Sequence, residues 1–163
     1  MKLAQLLVLS AVSLTAQFAH SADTAEPAAP HATAPTADKL AAARKLIDAR
    51  QWDAAIVELK RVDDRSSADW NNLVGYTLRK GATPDLAASE KYYDAALRID
   101  PHHRNTLEYS GELYLMKGDL VKAQSRLASL QAECGTSCSQ YGDLRKAIDH
   151  YVANGNKYVS NGW

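Results

Sequence analysis

The chain has 163 residues, of which 46% are hydrophobic, and its nineteen basic and nineteen acidic side chains balance to a formal net charge of zero. Balanced charge without a basic stripe argues against nucleic acid or an anionic membrane as the primary partner. The part of the chain beyond residue 36 is long enough to form one ordinary domain.

The first 21 residues have the pattern of a secretory signal peptide. Lys2 is followed by the apolar run Leu3–Leu14 and then by Ala19-His20-Ser21, which resembles the small-residue end of such a signal. The apolar run is shorter than the roughly 20 residues that span a bilayer, and no later segment is apolar enough to do so. We therefore expect an exported protein, cleaved near residue 21, with no stable membrane insertion.

Residues 22–36 are predicted to form a flexible linker. They are almost all Ala, Pro, Thr, Asp, Glu and His, which offer little apolar surface to bury. His31 is the only histidine in this segment, and we expect it to be solvated and free of metal.

Three successive helix pairs are predicted from the 3.6-residue spacing of apolar side chains, at about residues 37–68, 69–103 and 104–137. In the first pair the turn is Arg50-Gln51 and lacks glycine. In the second, Thr83 and Pro84 are expected to cap and begin the second helix. In the third, Gly118 is expected to end one helix and Asp119 to cap the next.

Small residues are expected to let the paired helices approach closely, with larger side chains between them. The small residues are Gly75, Ala96, Gly111 and Ala123, and the larger ones are Tyr93, Leu97, Tyr114 and Leu127.

Cys134 and Cys138 stand where the last pair should end. In an exported protein a local disulfide is favoured, helped by the bend-forming Gly135. Two alternatives remain open, a metal site and redox catalysis. Two thiolates do not complete a zinc site, and the C-x-x-x-C spacing differs from the C-x-x-C of thioredoxin-like enzymes.

A final amphipathic helix is predicted at residues 141–152, where it would cover the apolar face of the last pair. Residues 154–163 form a tail that is polar apart from Tyr158, Val159 and Trp163. Whether Trp163 packs on the domain is left open by the sequence.

The helix pairs resemble tetratricopeptide repeats. Gly111, Tyr114, Gly118, Asp119, Ala123 and Leu127 recur at the offsets of a helical repeat of about 34 residues, and the second pair ends in Asp100-Pro101. The resemblance implies an all-α, right-handed α-solenoid of about three helix pairs with a C-terminal capping helix. It also implies a binding role, and small exported bacterial members of the family point to the periplasm or the cell exterior.

The resemblance places a partner-binding groove on the first helix of each pair, at positions that the family does not use for packing. Asparagine amides in such a groove can bond the backbone of an extended peptide. Arg44 and Arg79 toward one end, with Glu108 and Glu112 toward the other, favour a partner with both signs of charge. The predicted groove residues are Leu40, Arg44, Ile47, Asn71, Asn72, Arg79, Asn105, Glu108, Tyr109, Glu112 and Met116.

No catalytic motif or cofactor-binding motif is present in the sequence, and His102-His103 is expected to form a solvated turn with one imidazole against a helix end. We therefore expect a non-enzymatic scaffold, without cofactor or metal, that binds a protein or peptide. The alternatives are a redox or metal-handling protein centred on Cys134 and Cys138, and a self-associating module.

Overall fold

The computed structural model describes residues 38–159, and these residues form seven α-helices and no strand. The all-α prediction is confirmed. The predicted signal peptide, the linker and Trp163 lie outside the described residues. The helices are α1 (Ala41–Asp48), α2 (Trp52–Val62), α3 (Ala68–Lys80), α4 (Leu86–Ile99), α5 (Arg104–Met116), α6 (Leu120–Cys134) and α7 (Ser139–Ala153).

Each helix packs against the next one in the chain, and α5 contacts α3 and α7 as well. One apolar cluster joins α1, α2 and α3 around Leu59 and Trp70, and the Trp70 indole donates a 2.7 Å hydrogen bond to the Leu59 carbonyl. A second cluster joins α5, α6 and α7 around Leu130 and Leu144. Because α3 and α5 contact each other, their side chains can contribute to one surface.

Two of the predicted helix boundaries can be compared with the caps in the structure. The prediction for α4 is wrong, because Asp85 is its N-cap and accepts a 2.9 Å hydrogen bond from the Ala88 amide. The backbone amide of Asp85 bonds the Leu78 carbonyl, so the chain before it is held in the turn. The prediction for α6 is confirmed: Gly118 has φ +78°, and Asp119 accepts from the Lys122 amide at 3.0 Å.

Two of the three glycines in the described helices, Gly75 and Gly111, lie at close helix contacts, but with different partners. A Cβ atom on Gly75 would lie 2.8 Å from the Tyr93 ring, so this glycine serves the predicted contact between α3 and α4. A Cβ atom on Gly111 would lie 2.5 Å from Leu144 of α7. The prediction that Gly111 serves its own pair is therefore wrong, because α5 is crossed closely by α7.

The C-terminal helix buries Leu144, Ala147, Ile148 and Tyr151, as its amphipathic pattern predicts. Cys134 ends α6 and Cys138 precedes α7. Their sulfur atoms are within bonding distance, as the predicted disulfide requires, and their Cα atoms are 6.0 Å apart. Within residues 38–159, no helix combines the length and apolar character needed to cross a bilayer.

Candidate functional site

Side chains of α1, α3 and α5 line one open cleft of about 220 Å³. Five of the predicted groove residues meet there, together with three that the prediction missed. The missed residues had a detectable signal, since Asp48 and Tyr76 lie four positions after Arg44 and Asn72 and so share their helix faces. The cleft is lined by Arg44, Ile47, Asp48, Asn72, Leu73, Tyr76, Asn105 and Tyr109.

The two asparagines of the cleft are each held through the side-chain oxygen. The Thr106 hydroxyl donates to Oδ1 of Asn72 at 3.0 Å, and the Gln140 amide donates to Oδ1 of Asn105 at 2.8 Å. An asparagine amide has one oxygen acceptor and two N–H donors. With the oxygens engaged, the N–H groups remain as the donors. Asn72 is only 2% exposed, so a ligand in the cleft would mainly meet the N–H groups of the half-buried Asn105.

The aromatic part of the cleft consists of Tyr76 and Tyr109. Their ring centroids lie 4.6 Å apart, and Trp52 of α2 packs edge-on against Tyr76 at 6.2 Å. Rings that contact each other in this way are fixed in position and offer apolar surface at low entropic cost. The cleft therefore combines hydrogen-bond donors with a rigid aromatic surface.

The guanidinium of Arg44 is held between two acidic side chains at the edge of the cleft. Its Nε lies 3.5 Å from Asp38, and its Nη2 lies 3.4 Å from Asp69. Asp69 also accepts from Nε2 of His103 at 3.1 Å. Two ion pairs and one hydrogen bond therefore link α1, α3 and the start of α5.

His103 is the N-cap of α5, and its Nδ1 accepts a 3.2 Å hydrogen bond from the Thr106 amide. The prediction of an imidazole against a helix end is confirmed for this residue. Nδ1 of His102 instead lies 2.7 Å from Oε2 of Glu133. Within residues 38–159, no group of three or more His, Cys, Asp or Glu side chains is placed to hold a metal ion.

Arg79 and Glu112 form a buried ion pair, which corrects the predicted charge distribution. Their side chains are 2% and 12% exposed, and Nη2 of Arg79 lies 2.6 Å from Oε2 of Glu112. Nε of Arg79 donates to the Tyr93 hydroxyl at 3.4 Å, and the guanidinium lies 5.5 Å and 5.7 Å from the ring centroids of Tyr76 and Tyr109. The two side chains neutralise each other, so they do not form oppositely charged ends of a groove.

Four other predicted groove residues do not line the cleft. The first is Leu40, which is buried in the cluster of α1, α2 and α3. Ile47 belongs to the same cluster, but it also lines the cleft. The amide of Asn71 donates to the carbonyls of Arg65 and Ser67 and so fixes the turn before α3. Glu108 is buried and Met116 is half-buried. Helix periodicity finds a face but does not show which members of that face a neighbouring helix covers.

Burial raises the pKa of Glu108 to about 8, from an ordinary value of 4.5. The carboxylates of Glu112 and Asp143 act in the same direction, and Arg79 opposes them. Glu108 is therefore largely protonated at neutral pH.

The free energy of unfolding is expected to fall as the pH rises from about 4.5 to about 8, because the folded chain keeps a proton on Glu108 that the unfolded chain has lost. Glu108→Gln should remove this contribution and be more stable than wild type at pH 9, by on the order of 2 kcal/mol. Urea unfolding at pH 5, 7 and 9 measures it. Asp53→Asn, at an exposed position of α2, controls for the loss of one acidic group. Parallel pH profiles for wild type and Glu108→Gln would contradict the prediction.

No protein-family model matches the chain, and a search of curated proteins finds no significant match.

Proposed function

We propose that this chain is an exported, non-enzymatic adaptor of the bacterial cell envelope that binds an extended segment of another protein in the cleft of α1, α3 and α5. We further propose that it is a tetratricopeptide-repeat protein, with three helix pairs in a right-handed α-solenoid and α7 as the capping helix. The packing of each helix against its successor and the contact between α3 and α5 support this arrangement.

The observation that carries the proposal is the cleft itself. Three helices bring donors and aromatic rings to one surface, although their residues are far apart in the sequence. The N–H groups of the half-buried Asn105 suit the backbone carbonyls of an extended peptide, and the rings of Tyr76 and Tyr109 suit its side chains. The contacts to the peptide backbone depend little on the sequence of the peptide, and the rings add a preference for certain side chains.

Site-specific photo-crosslinking tests where the partner binds. p-Benzoylphenylalanine in place of Tyr109 puts the crosslinker in the cleft, and the same residue in place of Val121, which is 77% exposed on α6, is the control. After irradiation of cells that express the full chain, we expect a discrete adduct from position 109 and none from position 121. Adducts from both positions or from neither would contradict binding in the cleft.

A matched pair of variants tests the same site by loss of binding. Arg44→Ala with Asn105→Ala removes one guanidinium and one amide from the cleft. Arg61→Ala with Gln131→Ala removes the same groups from exposed positions of α2 and α6. The adduct at position 109 should fall at least fivefold in the first variant and persist in the second. An equal yield of the adduct in both variants would contradict the proposal that the partner binds in the cleft.

A further inference from the structure

The chain reverses direction after α7, so that its tail returns to the helices. Gly155 and Asn156 have φ values of +68° and +60°, and the Asn156 amide donates to the Tyr151 carbonyl at 3.0 Å. Such a turn is a common way to end a helix and redirect the chain. It brings the half-buried Tyr158 onto the apolar cluster of α5, α6 and α7.

Tyr158 and Val159 close a small cavity of about 10 Å³ against α5 and α7. The wall is apolar at Leu115, Ala147 and Tyr151, and polar at Glu112, His150 and Asn154. Burial raises the pKa of Tyr158, and Arg79 and Glu112 both act electrostatically on its hydroxyl. Tyr158 and Glu112 line the same cavity, so the ring of Tyr158 lies close to the ion pair of Arg79 and Glu112, which contacts the cleft.

The cleft and this cavity are carried by one face of α5. Asn105 and Tyr109 line the cleft and Glu112 lines the cavity, at positions i, i+4 and i+7. The guanidinium of Arg79 spans the two, because it pairs with Glu112 and lies over the rings of Tyr76 and Tyr109. A peptide that follows this face of α5 out of the cleft would next meet Tyr158.

We propose that the binding surface continues from the cleft along α5 to the cavity beside α7, that residues 154–159 occupy this second part within the same chain, and that Tyr158 holds the place of an aromatic side chain supplied by the partner. This inference rests on the proposed function, and it assigns a chemical class to the partner: an extended segment with an aromatic residue, which displaces the tail. The tail itself is the observation that identifies the class, since the half-buried Tyr158 ring already packs on the apolar cluster at this position.

Displacement of the tail has a measurable cost. A tethered segment competes at an effective concentration on the order of millimolar, so it lowers the apparent affinity for any free segment that needs the same place. Removal of the Tyr158 side chain should relieve this competition. The side chain of Lys157 is exposed and does not line the cavity, so Lys157→Ala is the matched control within the same tail.

The test uses a fluorescein-labelled peptide with the sequence of residues 154–159, Asn-Gly-Asn-Lys-Tyr-Val, and the same peptide with alanine in place of tyrosine. Fluorescence anisotropy with the full chain should show at least tenfold tighter binding of the tyrosine peptide to Tyr158→Ala than to wild type or Lys157→Ala. The alanine peptide should bind none of them. Circular dichroism at 222 nm checks that the variants keep their helices.

Three outcomes would overturn the inference: equal affinity of the tyrosine peptide for wild type and Tyr158→Ala, equal binding of the two peptides, or no binding to Tyr158→Ala up to millimolar peptide. Light scattering of the unmixed variants must also show monomers, because exchange of tails between two copies would assign the surface to self-association. A crosslink from position 109 without binding of the tyrosine peptide would contradict only the proposal that the tail occupies the surface. Binding of the tyrosine peptide without that crosslink would contradict the adaptor proposal. The surface would still be one that binds an aromatic side chain.

Discussion

Glu112→Leu is expected to lower the free energy of unfolding by about 3 kcal/mol, because it leaves the guanidinium of Arg79 buried without its counter-charge. This loss of stability should be in the lower part of the range observed when one partner of a buried ion pair is removed. The reason is that Glu108 can ionise beside Arg79 once Glu112 is gone and so replace part of the counter-charge. Urea unfolding at pH 7, followed by circular dichroism at 222 nm, measures it.

The double replacement Arg79→Met with Glu112→Leu should recover most of that loss, because two apolar side chains of similar volume carry no desolvation penalty. Asp149→Leu is the surface control. Asp149 accepts hydrogen bonds from Nε of Arg145 at 3.1 Å, and the two side chains are 62% and 54% exposed, so this pair should contribute little. A double variant that is less stable than Glu112→Leu would show that the pair stabilises the fold beyond the penalty of an unpaired charge.

Gly111→Ala is expected to destabilise the chain by about 2 kcal/mol. The new methyl group would lie 2.5 Å from Cδ2 and 2.7 Å from Cδ1 of Leu144, and this fully buried side chain would have to repack within the core. The gain in helix propensity, up to about 1 kcal/mol, offsets only part of this overpacking. Thermal unfolding followed by circular dichroism should show a lower midpoint for the variant.

Gly142→Ala is the matched control for this prediction. Gly142 lies within α7, and a Cβ atom there would have no neighbour within 4 Å. The same substitution should therefore stabilise the chain, by about 0.5–1 kcal/mol, through helix propensity alone. Shifts of the same sign for the two variants would mean that α5 and α7 do not approach as closely as the Gly111–Leu144 contact requires.

The sequence predicts the helices well and the site only in part, for a physical reason. Asp119 and Gly118 act through neighbours a few residues away, so local spacing is enough to place the boundary of α6. The boundary of α4 was missed because the Asp85 amide bonds the Leu78 carbonyl across the turn. Among the predicted groove residues, Asn105 and Tyr109 lie in the cleft.

By itself, the sequence determined that the described chain is all-helical, where α6 begins and that Cys134 and Cys138 can pair, because each of these depends on contacts within a few residues. Only the tertiary structure decided that Arg79 pairs with Glu112, that α7 crosses α5 at Gly111, and which polar side chains reach the cleft. The first two features each join residues 33 positions apart, and the cleft joins residues of three different helices. Their partners are set by how whole helices pack rather than by the period of any one helix.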